Sequence, residues 1–262
     1  MTGRLAGKVA IVTGGTGALG RTFSLALARE GARVVASGRN EARGTETARL
    51  ITEAGGEAIF LPHDVTSADD WIRVIDKTLG SFGRLDTLIN NAGDAVLKPI
   101  TDLTPDDLEF LMRLNFEGPF LGMKEAIPCM KEGGAIINIT VLTAMVGNAN
   151  STAYSIAKGS LAHLTRAVAR DCVHKKNGVR VNAIVPGVLF EGGVVSPGAT
   201  RVHGGPDGAR RFQEMIIAKT PLGRIGEPSD AAAAAVFLAS DDARHVTAME
   251  YVVDGGRMAG GN

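Results

Sequence analysis

The segment Thr13-Gly-Gly-Thr-Gly-Ala-Leu-Gly20 constrains this chain most. It follows the apolar run Val9-Ala-Ile-Val-Thr13 and precedes a helical stretch that ends near Glu30. Glycines let a backbone turn sharply between a buried strand and a helix. They also let a pyrophosphate approach the main chain, with the unpaired N–H groups of the helix start facing the anion. Strand, glycine loop and helix in that order open a dinucleotide-binding α/β domain. The contacts expected from the loop are Gly14, Thr16, Gly17, Leu19 and Gly20.

The rest of the chain keeps the same rhythm. Further strands are expected at Arg33–Ser37, Glu57–Leu61, Thr87–Asn90, Ala135–Thr140, Arg180–Ile184 and Tyr251–Asp254. Helices are expected at Glu41–Ala54, from about Pro105 to Met130, at Ala153–His174, Arg210–Lys219 and Asp230–Ala239. Short apolar strands joined by helical crossovers imply a parallel sheet with both faces covered. Right-handed crossovers make that an α/β doubly wound, Rossmann-type architecture. No repeat or linker divides the chain, so residues 1–262 read as a single domain. Glu191 to Gly208 breaks the rhythm with many glycines and two prolines. Following a strand's carboxyl end, the stretch 190–212 reads as a substrate loop or lid, with a surface insertion as the alternative.

Composition excludes several function classes. The 28 basic and 28 acidic residues cancel, so no broad field attracts nucleic acid or an anionic membrane. No run reaches 18 apolar residues and the first residues lack a signal-peptide core, which makes the cytoplasm the expected location. Cys129 and Cys172 read as two thiols in a reducing compartment. His63, His163, His174, His203 and His245 are dispersed, show no metal-ligand spacing and read as surface or capping histidines. Trp71 reads as a core residue of an amphipathic helix.

Two features carry chemistry. In Tyr154-Ser-Ile-Ala-Lys158 a phenol and an ammonium share one helix face. A neighbouring cation lowers a phenol pKa and suits it to proton transfer. At the end of the second strand, Ser37-Gly-Arg-Asn40 has no acid to bind both ribose hydroxyls. Arg39 can clamp a 2′-phosphate there, which favours NADP(H), with NAD(H) use still open. Asp64 can accept from the adenine amine or cap the next helix.

The ordered set of motifs resembles the short-chain dehydrogenase/reductase family along essentially the whole chain. It comprises the glycine loop, Asp64-Val65, Asn90-Asn-Ala-Gly93, Asn115, Tyr154 with Lys158, Arg180-Val-Asn182, Pro186-Gly187 and Val253-Asp-Gly-Gly256. The resemblance implies that Tyr154 exchanges a proton with the substrate oxygen, and that Lys158 lowers its pKa and binds the nicotinamide ribose. It implies that Asn115 holds a water in the proton relay. It places Asp64, Val65, Asn91, Ala92 and Gly93 along the adenosine side of the cofactor, and Pro186, Gly187 and Leu189 at the carboxamide. It also implies a homo-oligomer, dimer or tetramer, built on the helices near 105–130 and 153–174.

Three positions depart from the family pattern. Ala18 stands at the family's middle loop glycine, which is acceptable if its φ is negative. Val141 stands where the family has its substrate-polarising serine, thirteen residues before Tyr154. Valine cannot donate a hydrogen bond. If the chain stays extended there, Thr143 points the same way as Val141 and supplies the hydroxyl. Otherwise Thr140 and Thr143 satisfy local backbone groups. Glu191 replaces a threonine that helps hold the carboxamide. The expected function is interconversion of a secondary alcohol and a ketone, the partner being a small carbonyl or alcohol. A cofactor-binding sensor or structural subunit is the alternative that Val141 supports. Met145, Val146 and Phe190 suit an apolar substrate, whereas Arg201, His203, Arg210 and Arg211 suit a carboxylate.

Overall fold

The computed structural model describes residues 3–190 and 205–260. Seven strands pair in parallel in the order β3-β2-β1-β4-β5-β6-β7. They are β1 Val9–Thr13, β2 Arg33–Gly38, β3 Ala58–Pro62, β4 Leu85–Asn90, β5 Met130–Ile139, β6 Arg180–Pro186 and β7 Glu250–Val253. The helices are α1 Ala18–Arg29, α2 Glu41–Glu53, α3 Ala68–Phe82, α4 Pro105–Met112, α5 Gly118–Ala126, α6 Thr143–Val146, α7 Thr152–Lys175, α8 Pro206–Ala218 and α9 Pro228–Ala239. This is the doubly wound Rossmann-type arrangement that the sequence rhythm implies.

Strand alternation builds a core on each face of the sheet. Ala10, Val12, Val34, Ile89, Ile137 and Ile184 pack with Phe23 and Leu27 of α1 and the alanine-rich α9. Val9, Ile11, Val35, Leu88, Ile136 and Val181 face the other way, onto Trp71 of α3, Met123 of α5 and Leu161 of α7. Trp71 is fully buried, as expected, and its indole N–H donates to the Val65 carbonyl at 2.9 Å. A buried polar chain crosses that second core. Asn90 Nδ2 donates to Asn138 Oδ1, and Asn138 Nδ2 donates to Thr165 Oγ1 on α7. It fixes α7 against the middle of the sheet.

The helix expected from about Pro105 to Met130 is broken. α4 runs into a π-helical turn at Arg113–Glu117, followed by α5 and a 3₁₀ turn at Ile127–Cys129. Pro119 has no N–H to offer the carbonyl of Asn115 four residues back, so a regular α-helix cannot continue there. The widened turn sets Asn115 apart from the helices on either side. Among the described residues, no helix is long and apolar enough to cross a membrane.

Candidate active site

β1 carries the glycine loop to the carboxyl edge of the sheet. Gly14 has φ +65°, and a Cβ on Gly20 would stand 2.1 Å from the Gly14 carbonyl oxygen. Ala18 opens α1 and is not among the positive-φ residues, so alanine fits there without strain. Gly17 caps α1 with no side chain bonded to the first N–H groups, and no acid lies in the first turn. That helix start is open to an anion. Asn91 braces the loop. Its Nδ2 donates to the Thr13 carbonyl at 2.8 Å, while Thr13 Oγ1 accepts from the N–H groups of Asn91 and Ala92.

A cleft of about 480 Å³ lies over this loop. It is lined by Gly14, Thr16, Gly17, Leu19 and Gly20, and by Arg39, Asp64, Val65, Asn91, Ala92 and Gly93, all expected from sequence. Arg39 and Asp64 also face a smaller neighbouring hollow. Asp64 does not cap α3; Ser67 does, accepting from the Asp70 N–H at 3.2 Å. Asp64 Oδ1 instead accepts from the N–H and hydroxyl of Thr66, whose N–H bond holds the carboxyl below its usual range. Among the described residues, its Oδ2 accepts no hydrogen bond.

His63 corrects an expectation. It is not a surface or capping residue but is 3% exposed and lines the cleft. Its Nδ1 shares a hydrogen bond with Ser37 Oγ at 3.0 Å, and its ring meets Trp71 edge to face with centroids 4.4 Å apart. Burial brings its pKa down to about 4. The ring is therefore neutral at physiological pH.

Asn115 and Lys158 meet beside Gly93, at the edge of that cleft. Tyr154 and Lys158 lie one turn apart on α7. Lys158 is buried and its Nζ donates to the Ile139 carbonyl at 2.8 Å. Asn115 Nδ2 donates to the carbonyls of Asp94 and Leu111, and its buried Oδ1 has no hydrogen-bond partner among the described residues. A Cβ on Gly93 would lie 2.6 Å from that Oδ1 and 3.2 Å from Lys158 Nζ. The two atoms thus converge on the bare side of Gly93.

The phenol itself departs from expectation. Burial first, and the Asp94 carboxylate second, push the Tyr154 pKa up to about 12 rather than lowering it. Burial brings Lys158 down to about 8. Desolvation disfavours the charged form of each group, raising the phenol and lowering the ammonium. Asp94 is a site residue that sequence reasoning passed over. The signal available was an acid directly after Asn90-Asn-Ala-Gly93.

Thr143 is placed differently from the extended-chain expectation. β5 ends at Ile139 and Leu142 is already in the right-handed helical region, so Thr143 opens α6. Thr143 Oγ1 accepts from Ser155 Oγ at 3.1 Å. Thr140 is buried and donates to the Ile184 carbonyl. Pro186, Gly187 and Leu189 lie at and just beyond the carboxyl end of β6. Gly187 N–H donates to the Val253 carbonyl, and Leu189 lines a separate cavity beside Gly226 and Asp254. Glu191, Arg201, His203 and most of the expected lid lie outside the described residues. Phe190 and Phe212, near the two ends of that stretch, meet edge to face at 6.3 Å.

The residues present fit a dinucleotide. The loop forms a cradle that a side chain would fill, the helix start above it is unopposed, and an unpartnered buried oxygen waits beside Gly93. A family model described as enoyl-(acyl carrier protein) reductase matches residues 15–257. The chain is 38% identical to the NADP-dependent (R)-specific alcohol dehydrogenase of Lentilactobacillus kefiri, covering 99% of this chain and 100% of that one. It is 36% identical to the cyclopentanol dehydrogenase of Comamonas testosteroni, over 98% and 99% of the two chains. A crystal structure of a dehydrogenase/reductase from Sinorhizobium meliloti 1021 superposes with a TM-score of 0.85 at 31% identity, covering 97% of this chain and 96% of that one. Fold, glycine cradle and whole-length likeness converge: the chain belongs to the short-chain dehydrogenase/reductase family and is an oxidoreductase enzyme.

Proposed function

We propose that this protein is an NADP(H)-preferring oxidoreductase that interconverts a secondary alcohol and a ketone, with Tyr154 as general acid and base. The observation that carries this is the meeting of Asn115 and Lys158 beside Gly93 at the edge of the nucleotide cleft, with Tyr154 one turn from Lys158 on α7. Relatives alike over their full length are named for alcohol and cyclopentanol oxidation, and one of them for NADP dependence.

The loop from Gly14 to Gly20 and the start of α1 would hold the pyrophosphate. Arg39 would take the 2′-phosphate, Asp64 Oδ2 the adenine amine, Lys158 the ribose, and Pro186 to Leu189 the carboxamide. When bound, the nicotinamide supplies or accepts the hydride. Tyr154, with its pKa raised, keeps its proton at neutral pH and so stands in the form that donates to a carbonyl oxygen. Asn115, free of a regular helix and with Oδ1 unpaired, anchors the water through which that proton is replaced. Thr143, although α6 turns it out of the strand direction, is the hydroxyl we propose in place of the one Val141 lacks. Its oxygen accepts from Ser155, so its own proton is free for the substrate oxygen.

Tyr154→Phe tests the assignment. Turnover of a ketone with NADPH should fall by roughly 10²–10⁴-fold, the usual worth of a positioned acid. NADPH affinity, measured by fluorescence, should hold. Unchanged turnover would remove Tyr154 as the acid. Tight NADPH binding without turnover across ketones, aldehydes and keto acids would assign the protein instead as a sensor or structural subunit. We further read the chain as a single domain with a lid within 190–212, cytoplasmic, and assembled as a homo-oligomer, dimer or tetramer.

A further inference from the structure

We propose that Asp94 is a charge filter at the substrate mouth, selecting uncharged carbonyl substrates and rejecting those that carry a carboxylate. This rests on the carbonyl–alcohol reading above and narrows its substrate class.

Asp94 is fixed in the site by its neighbours. Its carbonyl accepts from Asn115 Nδ2 at 3.0 Å, which ties it to the proton-relay residue. Its own Oδ1 accepts from the Ala95 N–H at 2.8 Å, which holds the carboxylate in one orientation. Gly93, directly before it, meets Asn115 Oδ1 and Lys158 Nζ. Val96, two residues on, joins the small apolar cluster that also contains Tyr154. The chain thus threads Asp94 between the nucleotide cleft and the phenol, where its negative charge reaches Tyr154.

Among the described residues, that carboxylate makes no ion pair. Lys98, on the same loop, is held by both carboxylate oxygens of Asp107. Lys158 is buried, and one of its three N–H groups donates to the Ile139 carbonyl. Arg210, weighed from sequence as a carboxylate receptor, lies on the exposed side of α8 with Asp207 at 3.9 Å. Leu97, three residues after Asp94 on the same loop, is exposed, as are Met145 and Val146 of α6. Among the described residues, Asp94 is the one charged group that acts on Tyr154. A second carboxylate brought within several ångströms of Asp94 is repelled, and because Asp94 is exposed that repulsion is weakened by salt. A neutral polar group of the same shape meets no such barrier.

The test uses the near-isosteric pair acetoacetamide and acetoacetate with the full chain and NADPH. Their reduced forms, 3-hydroxybutanamide and 3-hydroxybutyrate, are titrated by calorimetry in the presence of NADP⁺. The wild type should favour the amide by roughly tenfold or more in both kcat/KM and affinity, a preference that shrinks as ionic strength rises. Asp94→Asn keeps an oxygen for the Ala95 N–H and removes only the charge, so the amide-to-acid ratio should fall toward unity. An unchanged ratio in the variant, or no preference in the wild type, overturns the filter. A binding preference that depends on Asp94, in a protein that reduces neither ketone, upholds the filter and defeats the oxidoreductase reading instead.

Discussion

At the scale of single residues, desolvation decides the electrostatics of this site. Lys158 is taken out of water with one carbonyl as partner, His63 with one hydroxyl, and each is pushed toward its neutral form. For His63 this has a consequence for stability. Its folded pKa of about 4 lies below the ordinary value of 6.5. The unfolded chain therefore binds the extra proton first as pH falls. The stabilisation is complete above about pH 6.5 and drains away toward pH 4, by on the order of 3 kcal/mol. Urea unfolding at pH 7 and pH 4.5 should show that loss, and His63→Gln should lose markedly less over the same interval. Thr143 gives a second expectation. Thr143→Val should cut turnover by about 10²-fold, the usual worth of one oxyanion donor, while Thr143→Ser restores most of it. Equal activity in all three proteins would leave the carbonyl without a side-chain donor from α6. Neither placement was legible in the sequence. The burial of His63 depends on Ser37 and Trp71, which come from other elements. The four-residue helix that turns Thr143 away from the strand direction is too short to leave a periodic signal.

At the scale of elements, strand ends do the positioning. β1 presents the glycine loop, β2 presents Arg39, β3 presents Asp64, and β4 presents Gly93 and Asp94, all on the same edge of the sheet. The cofactor preference proposed above rests on the end of β2. Arg39→Asp replaces a cation by an acid that repels a 2′-phosphate and accepts from ribose hydroxyls. The kcat/KM ratio for NADPH over NADH should fall by more than about tenfold, the value of a single charge-assisted contact. A ratio that does not move would take Arg39 out of that role. The strands and the loop were legible because apolar runs and glycine spacing are local properties of a sequence. The break in the helix after Pro105 was not, since a π turn keeps helical periodicity nearly intact. Pro119 marks it only in hindsight.

At the scale of the whole molecule, the helices beneath the site remain partly uncovered. Leu108, Phe110 and Phe120 are more than two-fifths exposed on α4 and α5, and Met112, Phe116, Phe120 and Leu164 line one apolar hollow. Patches of that kind on a folded chain are interaction surfaces. Sedimentation velocity should show an assembly larger than a monomer, and Phe120→Glu should shift it to smaller species. A wild-type monomer at micromolar concentration would refute the oligomer.

The seven-strand order carries a last implication, for biogenesis. β1 lies between β2 and β4, and the glycine loop and Lys158 are joined only through strands from distant parts of the chain. Ribosomes deliver the nucleotide-binding half first, well before the helix bearing Tyr154 emerges. A nascent chain stalled after β4 would therefore own a cradle for phosphates and nothing to trade a proton with. Contacts this remote in sequence form slowly. Competence should arrive late and all at once, when α7 docks.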